Sequence, residues 1–219
     1  CDNNNITTNC STATSTVVVT AADLVANRDS VGSVVGGNTN QTLINVFDND
    51  TKNGAKLDPS EVKLTAGTDP KGFLTIDADG KAVLGANAPA GNYEITYEIC
   101  ELLNPGNCST NKVQVTVTAP AILAVKENLV PINGSIGGTT ASLIASDKLN
   151  GVQAVIGTNA GEVALTGTAP SGLTVNSDGT VTVSKGTKAG DYDVEYTICD
   201  NNNAGNCSTV TSTVAVSAA

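Results

Sequence analysis

The stretch NYEITYEICELLNPGNCSTNKVQVTVT, residues 92–118, predicts two β-strands joined by a turn. Aromatic and β-branched residues alternate with polar ones in both halves, which is the period of a strand with one buried face. Asn104, Pro105 and Gly106 interrupt the pattern with residues that favour a turn. The predicted core face carries Tyr93, Ile95, Tyr97 and Ile99 in the first strand and Val113, Val115 and Val117 in the second.

Two cysteines in this hairpin have the opposite parity, so both side chains are predicted to lie on its outer face. Cys100 ends the first strand and Cys108 begins the second. Across such a hairpin the two Cβ atoms lie opposite each other at bridging distance, which predicts a disulfide. A structural zinc site is the weaker reading, because it normally gathers four Cys or His ligands and the hairpin offers two.

The hairpin recurs along the chain. Copies begin at Cys1, Cys100 and Cys199, and the last two are separated by 99 residues, the size of a domain. The six cysteines allow 15 pairings in principle, but repeat symmetry and local spacing favour one. It adds Cys199–Cys207 and Cys1–Cys10 to the first pair, and paired cysteines imply an oxidising compartment.

The repeats predict the domain boundaries. Residues 1–20 are assigned to the C-terminal disulfide hairpin of a preceding repeat, residues 21–118 to repeat 1 and residues 119–219 to repeat 2. Residues 1–20 could instead supply the first strand of repeat 1, and Cys1 could carry a lipid, although its mid-chain counterpart favours a disulfide half. The short join around Pro120 resists free hinging and predicts an end-to-end rod.

Composition indicates an all-β fold, with Thr, Val and Ile in the apolar stretches and Gly, Asn and Asp at the breaks. Seven predicted strands per repeat favour tandem immunoglobulin-like seven-stranded β-sandwiches. Tyr93 and Tyr192 follow matching Ala-Gly corners, where each is either a tyrosine corner or a core aromatic with one wet end. The strands predicted for repeat 1 are residues 22–25, 41–47, 61–66, 73–76, 81–84, 92–100 and 108–118.

The side-chain inventory excludes most catalytic chemistry. The chain has no His, and paired cysteines leave no thiolate nucleophile. Aromatic platforms for a glycosidase cleft are scarce, so we expect no enzyme. The net charge of -10 and the lack of a basic cluster disfavour nucleic-acid binding. No apolar run approaches the roughly 20 residues of a membrane span.

One acidic loop is a candidate for calcium, although no cofactor is required by the sequence. The segment NVFDNDTKNG brings together Asp48 and Asp50, and Asp29 could join them. Glu127 and Asp147 form the poorer counterpart in repeat 2. The alternative is that Asp and Asn cap turns by bonding their own backbone.

The segments YEICELLNPGNCSTNKVQVTVTAPAI, FDNDTKNG and APAGNYEITYEIC resemble the tandem repeats of very large Bacteroidota surface proteins. Among these they are similar to the SprB-like gliding-motility adhesins of flavobacteria. Asp29-Ser30-Val31 also resembles the short acceptor sequence for O-linked glycans in Bacteroidota, which makes Ser30 a glycosylation candidate.

The resemblance implies a filament on the cell surface, exported by type 9 secretion and anchored at the outer membrane. The repeats would act as spacer, with neighbouring repeats and the secretion and motility machinery as partners. Other parts of the parent protein would grip the substratum or a surface polysaccharide. Two alternatives remain: a carbohydrate- or protein-binding accessory module of a secreted multidomain protein, or accessory sandwich domains of a polysaccharide-degrading enzyme.

Overall fold

The computed structural model describes residues 10–218 and is built from β-strands. Within that range one pattern of ten strands occurs twice, once in each repeat. Each repeat has its own cluster of buried apolar side chains, and no side chain belongs to both clusters. No helix of the described residues is long and apolar enough to cross a membrane.

Repeat 1 contains two short 3-10 helices, Val46–Asp48 and Pro59–Glu61, besides its strands. Its strands are β1 (Leu24–Val25), β2 (Asp29–Val35), β3 (Gln41–Asn45), β4 (Thr51–Lys52), β5 (Ala55–Lys56), β6 (Val62–Ala66), β7 (Leu74–Ile76), β8 (Lys81–Leu84), β9 (Gly91–Glu101) and β10 (Cys108–Thr118).

These strands form three sheets, in the orders β2-β10-β9-β6, β3-β8-β7 and β1-β4-β5. All pairs are antiparallel except one: β2 runs parallel to β10 over six residue pairs, from Val113 opposite Asp29 to Thr118 opposite Val35. The first long strand of the repeat is therefore hydrogen-bonded to the last. Buried side chains of β9 and β10 pack with those of β7 and β8 in a single core.

Repeat 2 reproduces the three sheets as β12-β20-β19-β16, β13-β18-β17 and β11-β14-β15. Its strands are β11 (Ile122–Leu123), β12 (Ile132–Asn133), β13 (Gly138–Thr139), β14 (Lys148–Leu149), β15 (Val152–Gln153), β16 (Val163–Thr168), β17 (Leu173–Val175), β18 (Val181–Val183), β19 (Gly190–Asp200) and β20 (Cys207–Ser217).

The parallel pair is much shorter in repeat 2. There β12 pairs with β20 over two residues, Ile132 opposite Val216 and Asn133 opposite Ser217. Just before β12 stands Pro131, at the position that Ser33 occupies in repeat 1. Proline has no N–H to donate to a neighbouring strand, so it is unfavourable at the point where the pairing ends.

The parity predicted for the hairpin strands is confirmed. Tyr93, Ile95, Tyr97 and Ile99 are buried, and so are Val113, Val115 and Val117. Both tyrosine corners are present as well. The Tyr93 hydroxyl donates to the Pro89 carbonyl at 2.7 Å, and the Tyr192 hydroxyl donates to the Lys188 carbonyl at 2.9 Å.

The structure contains strands that the sequence reading of repeat 1 missed, namely β2, β4 and β5. The third strand also ends at Asn45 instead of Phe47, because the Asn45 side chain accepts the Phe47 N–H and starts a 3-10 turn. Residues 10–23 carry no assigned strand, and the side chains of Val17, Val18 and Val19 are more than 80% exposed.

Candidate functional site

The outer face of each hairpin carries the predicted disulfide. Cys100 is bonded to Cys108 and Cys199 to Cys207, each with a Cα–Cα distance of 4.1 Å. Each pair lies directly opposite across its antiparallel strands, as the parity predicts. The predicted Cys1–Cys10 bridge involves Cys1, which lies outside the described residues.

A buried acid organises the tip of the first hairpin. The Glu101 carboxylate is only 4% exposed and accepts hydrogen bonds from the Asn107 and Asn104 amides at 2.8 and 3.1 Å. Lys52 adds an ion pair at 2.9 Å. The Asn107 bond, the Lys52 bond and the Asn104 bond together lower the pKa of Glu101 to about 2. The carboxylate is therefore charged throughout the physiological range.

The second hairpin has the same tip with Asp200 as the acid. Asn203 donates to Asp200 at 2.7 Å, the Asn202 backbone N–H donates at 2.9 Å, and Asn206 approaches at 3.5 Å. We call each buried acid with its tip asparagines the tip network. Glu101 and Asp200 keep the core parity of their strands, so alternation alone could have marked them as buried acids.

The Asn-Cys-Ser triplet connects each hairpin to the start of its own repeat. In repeat 1 the Asn107 amide also donates to the Ala22 carbonyl at 2.9 Å, and the Ser109 hydroxyl accepts the Ala26 N–H. In repeat 2 the Asn206 amide donates to the Pro120 carbonyl at 2.8 Å. The triplet therefore fixes the first residues of a repeat against its last hairpin.

A second polar cluster is buried inside repeat 1. The Asp50 carboxylate is fully buried and accepts the Asn27 N–H at 2.7 Å and the Tyr97 hydroxyl at 3.0 Å. The same hydroxyl lies 2.8 Å from the Asn27 carbonyl and close enough to Asp29 to lower the pKa of that carboxyl group. We call Asp29, Asp50 and Tyr97 the buried Asp–Tyr cluster.

The ionisation of this cluster is strongly perturbed. Burial raises the pKa of Asp29 to about 6; repulsion from Asp50 adds to the shift, and the Tyr97 hydroxyl opposes it. Burial also raises the pKa of Asp50 and, with the two nearby carboxylates, that of Tyr97. The Oδ2 atoms of Asp29 and Asp50 are buried and lack a hydrogen-bond partner among the described residues.

Repeat 2 retains half of the cluster. Asp147 is fully buried, accepts the Val125 N–H at 2.7 Å and lies 3.1 Å from the Tyr196 hydroxyl. Its Oδ2 atom likewise has no partner within the part of the chain described. Glu127 stands at the position of Asp29, but it is partly exposed and its carboxylate accepts the Ser146 N–H.

Calcium binding at the three predicted acids stays a prediction, and the structure separates one of them from the other two. The structure brings Asp29 and Asp50 together but not Asp48, whose exposed side chain pairs with Lys56 at 3.1 Å. In residues 10–218, Glu98, Cys100 and Cys108 are the three potential metal ligands that lie within 4.8 Å of one another. Both cysteines are in a disulfide, so that group offers no thiolate.

The glycosylation candidate Ser30 lies on β2, opposite Gln114 of β10, and is exposed. Its hydroxyl is therefore accessible from solvent, which a surface modification needs.

The two repeats touch through their loops. The Ala90 N–H of repeat 1 donates to the Asn203 side chain of repeat 2 at 2.7 Å. Asn203 also belongs to the tip network, so one residue joins that network to the neighbouring repeat. Beside this contact lies a cleft of about 200 Å³, lined among others by Gly37, Asn87, Pro120, Leu149, Asn150 and Asn203.

Neither a known protein family nor a curated protein matches the chain. Among solved structures, an endo-fucoidan hydrolase of glycoside hydrolase family 107 is similar over 92% of this chain and 30% of its own length, at 14% identity and a TM-score of 0.39. Human protocadherin-24 EC1-2 is similar over 91% of this chain and 99% of its own, at 16% identity and a TM-score of 0.35. Sidekick-1 immunoglobulin domains 1–4 are similar over 92% of this chain and 48% of their own length, at 12% identity and a TM-score of 0.35. TM-scores this low do not assign a function.

Proposed function

We propose that this chain is a structural repeat segment of an extracellular bacterial adhesin filament, where it acts as a mechanical spacer. The observation that carries the proposal is the parallel pairing of β2 with β10. We call these two strands, and β12 with β20 in repeat 2, the terminal strand pair.

Parallel terminal strands determine how a pulling force acts on a repeat. A filament under tension pulls the repeat at the N-terminal end of β2 and at the C-terminal end of β10. In a parallel pair these points lie at opposite ends of the ladder. The hydrogen bonds between the strands are then sheared together instead of opening one by one, which requires a higher force.

The bridges and tip networks support the same function. Each disulfide holds the hairpin that supplies the last strand of the repeat, and disulfides persist in extracellular compartments. The Asn-Cys-Ser triplet fixes the start of each repeat to that hairpin. These contacts stabilise a repeat without forming a catalytic site.

In this proposal each four-stranded sheet packs on the main three-stranded sheet as a seven-stranded immunoglobulin-like sandwich, and the sandwiches follow one another as a rod. The shared core supports the packing. The Pro120 join and the Ala90–Asn203 contact support the end-to-end order.

The cellular setting is part of the proposal and rests on the resemblance to SprB-like repeats. The chain is assigned to the cell surface, within an outer-membrane-anchored parent exported by type 9 secretion. Adhesion to a substratum or polysaccharide belongs to other parts of that parent, and the repeats themselves have no enzymatic role.

A second candidate function, a carbohydrate- or protein-binding module, is favoured by the cleft between the repeats. Its Asn87, Asn150 and Asn203 amides offer both donors and acceptors, which suit sugar hydroxyls. Binding of the chain to immobilised glycans, lost in Asn150→Ala, would support this function. Retention of the same glycans by the variant would exclude the cleft as the binding site.

Single-molecule force spectroscopy tests the spacer. With handles at both ends, we expect two separate unfolding steps, each releasing about 30 nm of chain at roughly 3.3–3.6 Å per residue. Repeat 2 should open at the lower force, because its terminal strand pair has two residue pairs instead of six.

Matched variants come from the chain itself. Pro131→Ser should raise the opening force of repeat 2, and Ser33→Pro should lower that of repeat 1. Circular dichroism melts check that both variants fold. Gradual lengthening at low force without discrete steps would overturn the proposal.

A further inference from the structure

The hydroxyl of Tyr97 has one proton and too many acceptors around it. The Asn27 carbonyl at 2.8 Å and Asp50 Oδ1 at 3.0 Å both lie within its hydrogen-bonding distance, and Asp29 lies beside them. A phenol can donate to only one of them at a time. Buried polar atoms normally have hydrogen-bond partners, and this cluster has more acceptors than donors.

The shortage is most severe at two atoms. Asp29 is 5% exposed and Asp50 is fully buried, and the Oδ2 atom of each lacks a partner among the described residues. Two adjacent buried carboxylates also repel each other, and a buried charge is costly unless it is paired. A water molecule can hydrogen-bond to such oxygens, but it cannot neutralise two negative charges.

We infer that repeat 1 holds one divalent cation between the carboxylates of Asp29 and Asp50, a hard cation of the calcium type. The two carboxylates carry two negative charges, which matches the charge of the ion. The available donors are all oxygen atoms, the ligand type that calcium prefers, whereas His and free thiolates are missing from the cluster. The Asn27 carbonyl, 2.8 Å from the Tyr97 hydroxyl, is a further oxygen beside the two carboxylates, and water would complete the coordination of the ion.

Asp48 is not part of this site, in contrast to the sequence prediction. Its exposed carboxylate forms an ion pair with Lys56, so it is not available as a ligand and its charge requires no bound ion. The variant Asp48→Asn is therefore a matched control for Asp50→Asn, because it removes one negative charge from the same loop.

Repeat 2 provides a control within the same molecule. Asp147 has the same buried, unpartnered Oδ2 atom as Asp50. The second carboxylate there belongs to Glu127, which is partly exposed and already accepts a backbone N–H. With one buried charge in place of two, repeat 2 has no equivalent site. The inference stands independently of the proposed mechanical function.

Calcium binding to the chelator-treated full chain tests the inference directly. Isothermal titration calorimetry at pH 7.5 should show one site per chain. At a calcium concentration of about 100 times Kd, the melting temperature of repeat 1 should rise by about 10 °C while that of repeat 2 stays unchanged. Asp29→Asn and Asp50→Asn should abolish both signals, whereas Asp48→Asn should keep them.

Two further measurements do not depend on the loss of binding in a variant that could misfold. Glu127→Asp should create a second, weaker site in repeat 2, and native mass spectrometry of the unaltered chain counts the bound ions without any substitution. Absence of binding at millimolar calcium in the unaltered chain would overturn the inference. So would binding that persists in folded Asp29→Asn. Uptake of one proton near pH 6 without calcium binding would identify the pair as a proton-sharing pair instead.

Discussion

The stability of calcium-free repeat 1 should fall as the pH rises from about 4 to about 6, because of Asp29. Its pKa is 3.8 in an ordinary environment and about 6 in the folded chain. The folded state therefore holds a proton over this interval that the unfolded state has already lost. A group whose pKa is higher in the folded state than in the unfolded state contributes its full stability below the unfolded-state pKa. That contribution is lost as the pH rises through the folded-state pKa.

The size of the effect follows from the shift. About two pH units at about 1.4 kcal/mol per unit give at most about 3 kcal/mol. Urea unfolding of the chelator-treated protein at several pH values measures it. Asp29→Asn cannot titrate, so its stability relative to the unaltered chain should grow by about 2 to 3 kcal/mol between pH 4 and pH 7.5.

The control for this experiment is Asp48→Asn. It removes the same charge from an exposed position, so it reports the general effect of reducing the net charge of -10. Any pH dependence that Asp48→Asn and Asp29→Asn share is therefore subtracted as an effect of net charge. An Asp29→Asn difference that stays constant from pH 4 to pH 7.5 would refute the reasoning, since it would mean that Asp29 titrates alike in both states.

Three further outcomes are expected. Asn107→Ala should lower the melting temperature of repeat 1 by about 5 °C or more, because the buried Glu101 carboxylate loses the donor at 2.8 Å and the Ala22 carbonyl loses its partner. Asn111→Ala is the control for loss of an amide on the same strand. Reduction of the hairpin disulfides should destabilise each repeat by about 2.5 kcal/mol in urea unfolding, and mass spectrometry of the unreduced protein should find no free thiol. Asn203→Ala should loosen the junction, so that small-angle scattering shows a broader distribution of distances between repeats; an unchanged distribution would show that the Ala90 contact does not hold the junction.

The hairpin was predictable because its signals are local. Alternation from Tyr93 to Ile99 sets the buried face, and the same count places Cys100 and Cys108 outside. The same alternation extended to residue 101 would have placed Glu101 on the buried face, because it has the parity of Ile99. A charged residue at the end of an apolar alternation suggests exposure. Here the hydrogen bonds from Asn104 and Asn107 compensate for the burial of the Glu101 carboxylate.

The missed strands lack a local signal of that kind. β2 contains Gly32 with a φ of +81°, where the register shifts against β10, so its apolar residues do not alternate regularly. Its partner is also distant in sequence. β4 and β5 have two residues each, but their turn was visible as Asn53-Gly54, both with positive φ, which is a frequent hairpin turn.

The acidic loop was predicted to bind calcium because Asp48 and Asp50 are close in sequence, but the structure places these two side chains apart. Asp48 and Asp50 are two residues apart, which would put both on one face of an extended strand. The 3-10 helix of residues 46–48 lies between β3 and Asp50 and turns the chain, so Asp48 faces solvent while Asp50 faces Tyr97. Asp29 is brought to Asp50 by tertiary packing, which the local pattern does not encode.

Three differences between the repeats lie near the start of each one. Pro131 replaces Ser33, Glu127 replaces Asp29, and Leu149 stands opposite Ile122 where Lys52 stands opposite Leu24. The disulfide, the tip network and the buried Asp–Tyr pair are present in both. Under the proposed function, the hairpin therefore keeps each repeat attached to its own N-terminal residues, whereas the length of the terminal strand pair sets the opening force of each repeat. Terminal strand pairs of unequal length would let a filament under tension lengthen one repeat at a time, beginning with repeat 2.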